Sequence, residues 1–336
     1  MQNRKLITFL KIISIPVLYA IALRFVFGVK SWNNLFSVMS LTFLFCSPFI
    51  VGVLTVYFSP EKYARKIGYK ILMPWVPIFL FFIITLLIKM EGWACWLMIL
   101  PIFLIFSSIG GLIGAWLKFR KKDNGLNVSL LVLLPFVLSP LEKMIGAIPG
   151  VYEANTHVNI KAPADNIWHN LTRVKTITSK EDKGRLTNFL DFPRPVRAIL
   201  NYEGVGAYRE AIFTGGLKFH ETVLEYVPKK KMVFTIKAYP YEIPSTTMDE
   251  HIVVGGNYFD VLTGTYELEQ LDSTTYRLHL YSHFKLSTDF NFYASWWAKA
   301  IMKGIQNNIL QVIKNRAESE TKRSVFISPS GRHCRR

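Results

Sequence analysis

Arg209-Glu210 and His220-Glu221 stand on either side of Gly215-Gly216, in a stretch where apolar and polar residues alternate. A hairpin turning at those glycines brings Arg209 and Glu221 close to cross-strand register. Such a pair is either a buried polar anchor for a ligand head group or a surface ion pair worth about 0–1 kcal/mol. His220 and Glu221 are also the residue types that acid–base chemistry needs. A second group, Arg277, His279, Tyr281, His283 and Lys285, shares one face of a period-2 run whose other face carries Leu278, Leu280 and Phe284. That polar face either lines a pocket or meets solvent, and the alternation favours solvent. Trp296 and Trp297 open a C-terminal helical pattern, where an indole packs in the core, touches a ligand or sits at a bilayer interface. The candidate ligand-binding residues are therefore Arg209, His220, Glu221, Tyr281, His283 and Trp297.

No motif raises these residues to an assigned reaction. There is no nucleophile elbow, phosphate loop, HExxH helix or metal-ligand pair at helical spacing, so no cofactor or metal is expected, and the sequence assigns no catalytic residue beyond an acid–base role open to Glu221, His220 or His283. His157, His169, His251 and His333 are scattered, and Cys46, Cys95 and Cys334 form no disulfide framework or metal knuckle.

The elements that must position the candidates begin after Glu153. Ala154–Lys161 alternates as a half-buried strand, and Ala162-Pro163-Ala164-Asp165 opens a short helix with Ile167, Trp168 and Leu171 on its apolar side. After a turn-rich stretch, strands are expected over Tyr208–Phe213, Leu217–Val227, Lys231–Tyr239, Tyr258–Gln270 and Thr275–Leu286. Ser287-Thr288-Asp289 then offers caps for a long helix, Phe290–Glu318, with Trp297, Ile301, Ile305, Ile309, Val312 and Ile313 on one stripe. Asp191-Phe192-Pro193-Arg194-Pro195 reads as a rigid loop, suited to gate a cavity mouth or simply to connect. Residues 320–336, with Lys322, Arg323, Arg332, Arg335 and Arg336, read as a disordered basic tail.

One segment carries a resemblance. His157-Val158-Asn159-Ile160-Lys161-Ala162-Pro163-Ala164-Asp165-Asn166-Ile167-Trp168 resembles the opening of the START-like (SRPBCC) superfamily, which includes polyketide cyclase/dehydrase and lipid-transport proteins. There, a strand runs into an "Ala-Pro, two residues, Val/Ile-Trp" helix, and the order of elements over residues 153–319 is similar too. The resemblance implies an α+β helix-grip domain over 150–319: a curved antiparallel sheet around a long C-terminal helix, with a mostly apolar cavity between them. It implies no particular reaction.

The first 149 residues are of another kind. Residues 1–150 contain only four acids, Glu61, Glu91, Asp123 and Glu142, against 15 Lys and Arg, and the charges cluster between hydrophobic runs. Those runs are Leu6–Leu23, Leu35–Phe58, Ile71–Ile88, Gly92–Leu117 and Asn124–Leu141, and none offers a polar helical face. An α-helical transmembrane domain of about five spans is expected, since about 20 apolar residues cross a bilayer core. Such an anchor explains the formal net charge of +17 better than nucleic-acid binding does. Arg4 and Lys5, the Lys62–Lys70 cluster and the Lys118–Lys122 cluster fall on one side, which the positive-inside rule makes cytoplasmic. The C-terminal domain then lies outside the cytoplasm, unless residues 124–141 only re-enter. The first run also resembles a signal peptide ending at Ala20-Ile21-Ala22, although Arg24 and the later runs favour an uncleaved helix. No Asp, Glu or His lies at a span centre, which argues against an ion-coupled transporter. Gly110 and Gly114 give α-helical spacing for close packing, within the chain or in a dimer.

The expected function is that of a membrane-anchored START-like protein binding a hydrophobic small molecule or lipid near the bilayer of a cell (inner) membrane. A cyclase/dehydrase-like or hydrolase-like enzyme and a non-catalytic membrane assembly protein are the alternatives.

Overall fold

The structure, a computed structural model, describes residues 2–120, 124–243 and 253–327. His251 and the basic cluster at 121–122 lie outside the described residues, as do Arg332, His333 and Arg335–Arg336. The chain divides into two compact units, residues 1–148 with 288–290, and residues 149–287 with 291–336.

In the first unit the helices are α1 (Gln2–Phe27), α2 (Ser47–Tyr57, entered through a π-helical turn at Thr42–Cys46), α3 (Glu61–Ala64), α4 (Ile67–Leu72), α5 (Trp75–Leu87), α6 (Trp93–Phe119) and α7 (Asn124–Ile145). Four described segments are long and apolar enough to cross a membrane: Phe9–Phe27, Ile67–Leu87, Trp93–Phe119 and Val128–Ile145. The second expected span differs. Its helical part, Thr42–Tyr57, is shorter, because residues 35–40 turn instead of continuing the helix. It is also the best buried: Ile50, Val51, Val53 and Val56 are fully enclosed by neighbouring helices. Small residues permit this. A Cβ at Gly110 or Gly114 of α6 would collide with the carbonyl oxygens of Phe49 or Val53 on α2, and one at Gly52 would collide with that of Ser107. The glycine face is thus used for packing inside the chain.

Polar groups lock the helix ends. Arg24 forms an ion pair with Glu91 at 2.5 Å, both side chains 6% exposed, and donates to the Met90 carbonyl. Glu142, near the end of α7, accepts from the backbone N–H groups of Leu41 and Thr42 and from the Thr42 hydroxyl at 2.6 Å, satisfying donors that the helix start leaves unpaired. Val128, near the start of α7, packs with Leu54 and Leu117. So α7 runs antiparallel to α2 along its whole length and does not fold back on itself. Pro135 and Pro140 lie inside it without breaking it.

In the second unit the elements are β1 (Gly150–Ile160), α8 (Ala164–Thr172), α9 (Arg185–Phe189), β2 (Pro195–Leu200), β3 (Tyr208–Phe213), β4 (Lys218–Val227), β5 (Lys231–Lys237), β6 (Phe259–Gln270), β7 (Tyr276–Leu286) and α10 (Asn291–Ile327). The strands form one seven-stranded sheet in the order β1-β7-β6-β5-β4-β3-β2, antiparallel throughout. Register shifts between Val223 and Glu225 and between Val261 and Thr263 bend β4 and β6, and the sheet curls around α10. This is a helix-grip fold, a curled antiparallel sheet around a long C-terminal helix. Its core has two parts. One joins Trp168, Leu171, Met232, Tyr266, Leu278 and the C-terminal half of α10; the other joins Ala154, Phe213, Val261, Phe284 and the N-terminal half.

Two features differ from expectation. Pro195–Leu200 is an edge strand, and α10 continues eight residues past 319. Asn166 and Asn170 of α8 hydrogen-bond Thr321 and Glu320 at 3.2 and 2.8 Å, which holds the expected tail in the helix as far as Ile327.

Candidate functional site

Arg209 and Glu221 are Cα partners across β3 and β4, on the face of the sheet that turns toward α10. Their side chains form an ion pair and are each 4% exposed. Alternation explains the position: Ala211 and Phe213 follow Arg209 inward, and Val223 follows Glu221. Arg209 also donates to the Thr172 carbonyl at 3.4 Å, and its guanidinium lies 5.5 Å from the Phe234 ring centre and 6.0 Å from that of Tyr266. Burial works against its charge, but Glu221 and Tyr266 outweigh burial and raise its pKa. Burial raises the Glu221 carboxyl against the pull of Arg209, and raises the Tyr266 phenol as well. A buried pair with aromatic walls has spare acceptor capacity only on the carboxylate and phenol oxygens, so it suits a neutral or hydrogen-bond-donating ligand group better than a second anion.

A second polar cluster ties the helix to the sheet. Gln306 of α10, 3% exposed, donates to the Ala154 carbonyl at 3.0 Å and to Ser282 Oγ at 3.1 Å, and accepts from Thr156 Oγ1 at 3.1 Å. Trp168 Nε1 donates to Tyr226 Oη at 2.8 Å, and Tyr226 donates to Glu203 at 2.6 Å. Burial, reinforced by that carboxylate, pushes the Tyr226 phenol up to about 12.

The two halves of α10 meet the sheet differently. Toward the C-terminus Leu310, Val312, Ile313 and Ala317 are at most 1% exposed. Toward the N-terminus Ala294, Ala298, Met302 and Ile305 pack on the core yet stay partly exposed, as do Tyr152, Phe219 and Phe259 facing them from the sheet. The grip is closed at one end and loose at the other.

The remaining candidates are elsewhere. His220 is on the outer face, where it bridges Tyr208 Oη (2.6 Å to Nδ1) and Glu242 Oε2 (2.8 Å to Nε2), and its ring packs on Tyr239. Burial raises the Tyr208 phenol. Tyr281 and His283 also face outward: Tyr281 donates to Glu267 at 3.1 Å, and His283 lies 3.6 Å from Glu153. Leu278, Leu280 and Phe284 occupy the inner face of the same strand. Trp297 is half-buried on α10 against Trp296, with ring centres 4.8 Å apart. The structure therefore gathers only Arg209 and Glu221 inside the grip, together with Tyr266, Gln306 and Phe234, which sequence reasoning missed. Gln306 had a weak signal, the first of three consecutive amides, Gln306-Asn307-Asn308, set between the isoleucines of the stripe; Tyr266 had none beyond strand alternation. Among the described residues no three His, Cys, Asp or Glu side chains converge as metal ligands.

No protein-family model matches the chain, and no curated protein matches it. Solved structures do. A truncated norcoclaurine synthase from Thalictrum flavum is 11% identical, with 50% of this chain and 95% of that chain covered and a TM-score of 0.29. An aromatase/cyclase from a Streptomyces species is 14% identical, with coverages of 54% and 100% and a TM-score of 0.32. The di-domain aromatase/cyclase StfQ of the steffimycin biosynthetic pathway is 11% identical, with coverages of 60% and 63% and a TM-score of 0.32. Similarity at this level carries neither substrate nor reaction.

Proposed function

We propose that residues 150–327 hold a hydrophobic small molecule or a lipid between the curled sheet and the N-terminal half of α10, and that the apolar helices of residues 1–148 anchor the chain in a membrane. The observation that carries the reading is the contrast along α10: Leu310, Val312, Ile313 and Ala317 are sealed, whereas Ala294, Ala298, Met302 and Ile305, around a buried Ile301, stay partly exposed. A domain with no use for a ligand has every reason to seal both halves, since each buried CH₂ contributes about 0.8 kcal/mol. Arg209, Glu221 and Tyr266 supply a polar anchor inside, and Trp297 lies beside the open half. Helix order and loop charge support a placement: with the N-terminus cytoplasmic, and the shorter α2 counted as a crossing alongside the four longer segments, five traverses put the ligand-binding domain outside the cytoplasm, on a cell (inner) membrane.

Binding of a fluorescent phospholipid or fatty acid to the purified full chain tests the site. Ala298→Trp with Met302→Trp fills the open half and abolishes binding; unchanged binding in that variant refutes the location.

The hydrogen-bonded series Tyr208–His220–Glu242 favours a second reading, a cyclase-like or hydrolase-like enzyme with His220 as general base. That series is on the outer face, away from the open half of the grip, and so supports this second reading less than an inward histidine would.

A further inference from the structure

Phe292, Trp296, Lys299 and Lys303 follow one another at intervals of four, three and four residues, which puts them on a single stripe of α10. All four are exposed, Phe292 and Trp296 to 67% and 62%. By helical geometry the stripe is centred about 135° around α10 from the Ala294, Ala298, Met302 and Ile305 face that packs on the sheet. Phe292 and Trp296, one turn apart, leave most of their surface to solvent even though Trp296 packs edge-on with Trp297, and an amphipathic aromatic-then-lysine stripe is what a lipid–water interface selects. Lys299 is held in place over the Tyr152 ring, 5.5 Å from its centre.

Chain connectivity supplies the second argument. Only residues 146–149 separate α7 from β1, and Gly150 pairs with Leu286, five residues before α10 begins. The start of β1, the end of β7 and the start of α10 therefore share one end of the domain. If α7 crosses a bilayer, four residues reach at most about 14 Å beyond it, so this end meets the lipid surface.

We propose that the first four turns of α10 dock on an anionic bilayer surface, with Phe292 and Trp296 in the interface and Lys299 and Lys303 against lipid phosphates, so that the open half of the grip takes its ligand from the bilayer. The inference rests on the ligand-binding reading above for its cargo, but the docking surface stands separately.

The test uses the full chain with Cys46, Cys95 and Cys334 replaced by Ser, reconstituted in phosphatidylcholine vesicles with or without phosphatidylglycerol. An environment-sensitive NBD label is placed at Trp296→Cys, or at Ser273→Cys in the β6–β7 turn as a control. Docking predicts blue-shifted emission and quenching by brominated lipid at position 296 and neither at 273. It also predicts that quenching weakens without phosphatidylglycerol and in Lys299→Glu/Lys303→Glu, by roughly fivefold in partition for each lysine. Equal behaviour at 296 and 273 overturns the proposal, and so does a blue shift at 296 without quenching, which marks a protein surface instead. In the native-cysteine chain, hydroxyl-radical oxidation of Phe292 and Trp296 gives an independent measurement: protection in phosphatidylglycerol vesicles supports docking, and equal oxidation in both vesicle types refutes it. Mass spectrometry of bound lipid in the same preparations separates the two ideas. Quenching without cargo removes the ligand reading alone, and cargo without quenching removes the docking surface alone.

Discussion

Arg209 on β3 and Glu221 on β4 are direct cross-strand partners whose charges meet inside the helix grip, each side chain 4% exposed. Removing one partner strands the other charge in a low-dielectric interior. Arg209→Ala or Glu221→Ala is expected to cost about 3–5 kcal/mol, whereas the apolar double replacement Arg209→Met/Glu221→Leu costs far less. Thermal melting of the purified full chain and both variant types, as a double-mutant cycle, measures this; additive losses would contradict the buried pairing.

Gln306 sets the height of α10 over the sheet through bonds to Ala154, Thr156 and Ser282. Gln306→Leu keeps the volume and leaves the Thr156 and Ser282 hydroxyls short of a partner. A loss of about 1–3 kcal/mol is expected, read as a lower melting temperature. Gln306→Glu is expected to be worse near neutral pH, because it adds an unpaired buried charge.

The Glu181 carboxylate, bound by Arg316 and by Thr178, titrates in the folded chain at about 2 instead of 4.5. The folded state thus binds fewer protons than the unfolded state across that interval. Stability from this pair is complete above about pH 4.5 and declines as pH falls toward 2. Melting temperatures across this range are expected to fall less steeply in Arg316→Ala, since its loss leaves Glu181 nearer its ordinary value.

Much of this was legible in the sequence. Strand alternation located β3 to its exact ends and the other central strands to within a few residues, because each has one face in the core. It also predicted that His279, Tyr281 and His283 share a face opposite Leu278, Leu280 and Phe284. β2 was not legible: Pro193 and Pro195 signal a connector, and only Ala198 and Leu200 mark its buried side. Whether Arg209 and Glu221 were buried was likewise undecided, since the same hairpin register serves a surface pair equally well. The reach of His220 to Glu242, and the shortening of the second apolar run, depend on turns whose course a hydrophobic pattern does not encode.

In the first unit, Gly110 and Gly114 let α6 approach the α2 backbone. Gly110→Leu forces the helices apart and is expected to lower the melting temperature of the detergent-purified chain sharply, while Ile105→Leu, on an exposed part of α6, leaves it unchanged. The Glu142→Ala variant removes the acceptor for Leu41 and Thr42 and is expected to cost about 0.5–2 kcal/mol.

If the open half of the grip is a container, the purified chain carries a hydrophobic compound there. Organic extraction and mass spectrometry of the full chain, purified in parallel with Ala298→Trp/Met302→Trp, measures it directly. A hydrophobic compound bound near one per chain, and lost from the filled variant, is the expected result. No such compound in either protein, or the same amount in both, would contradict it.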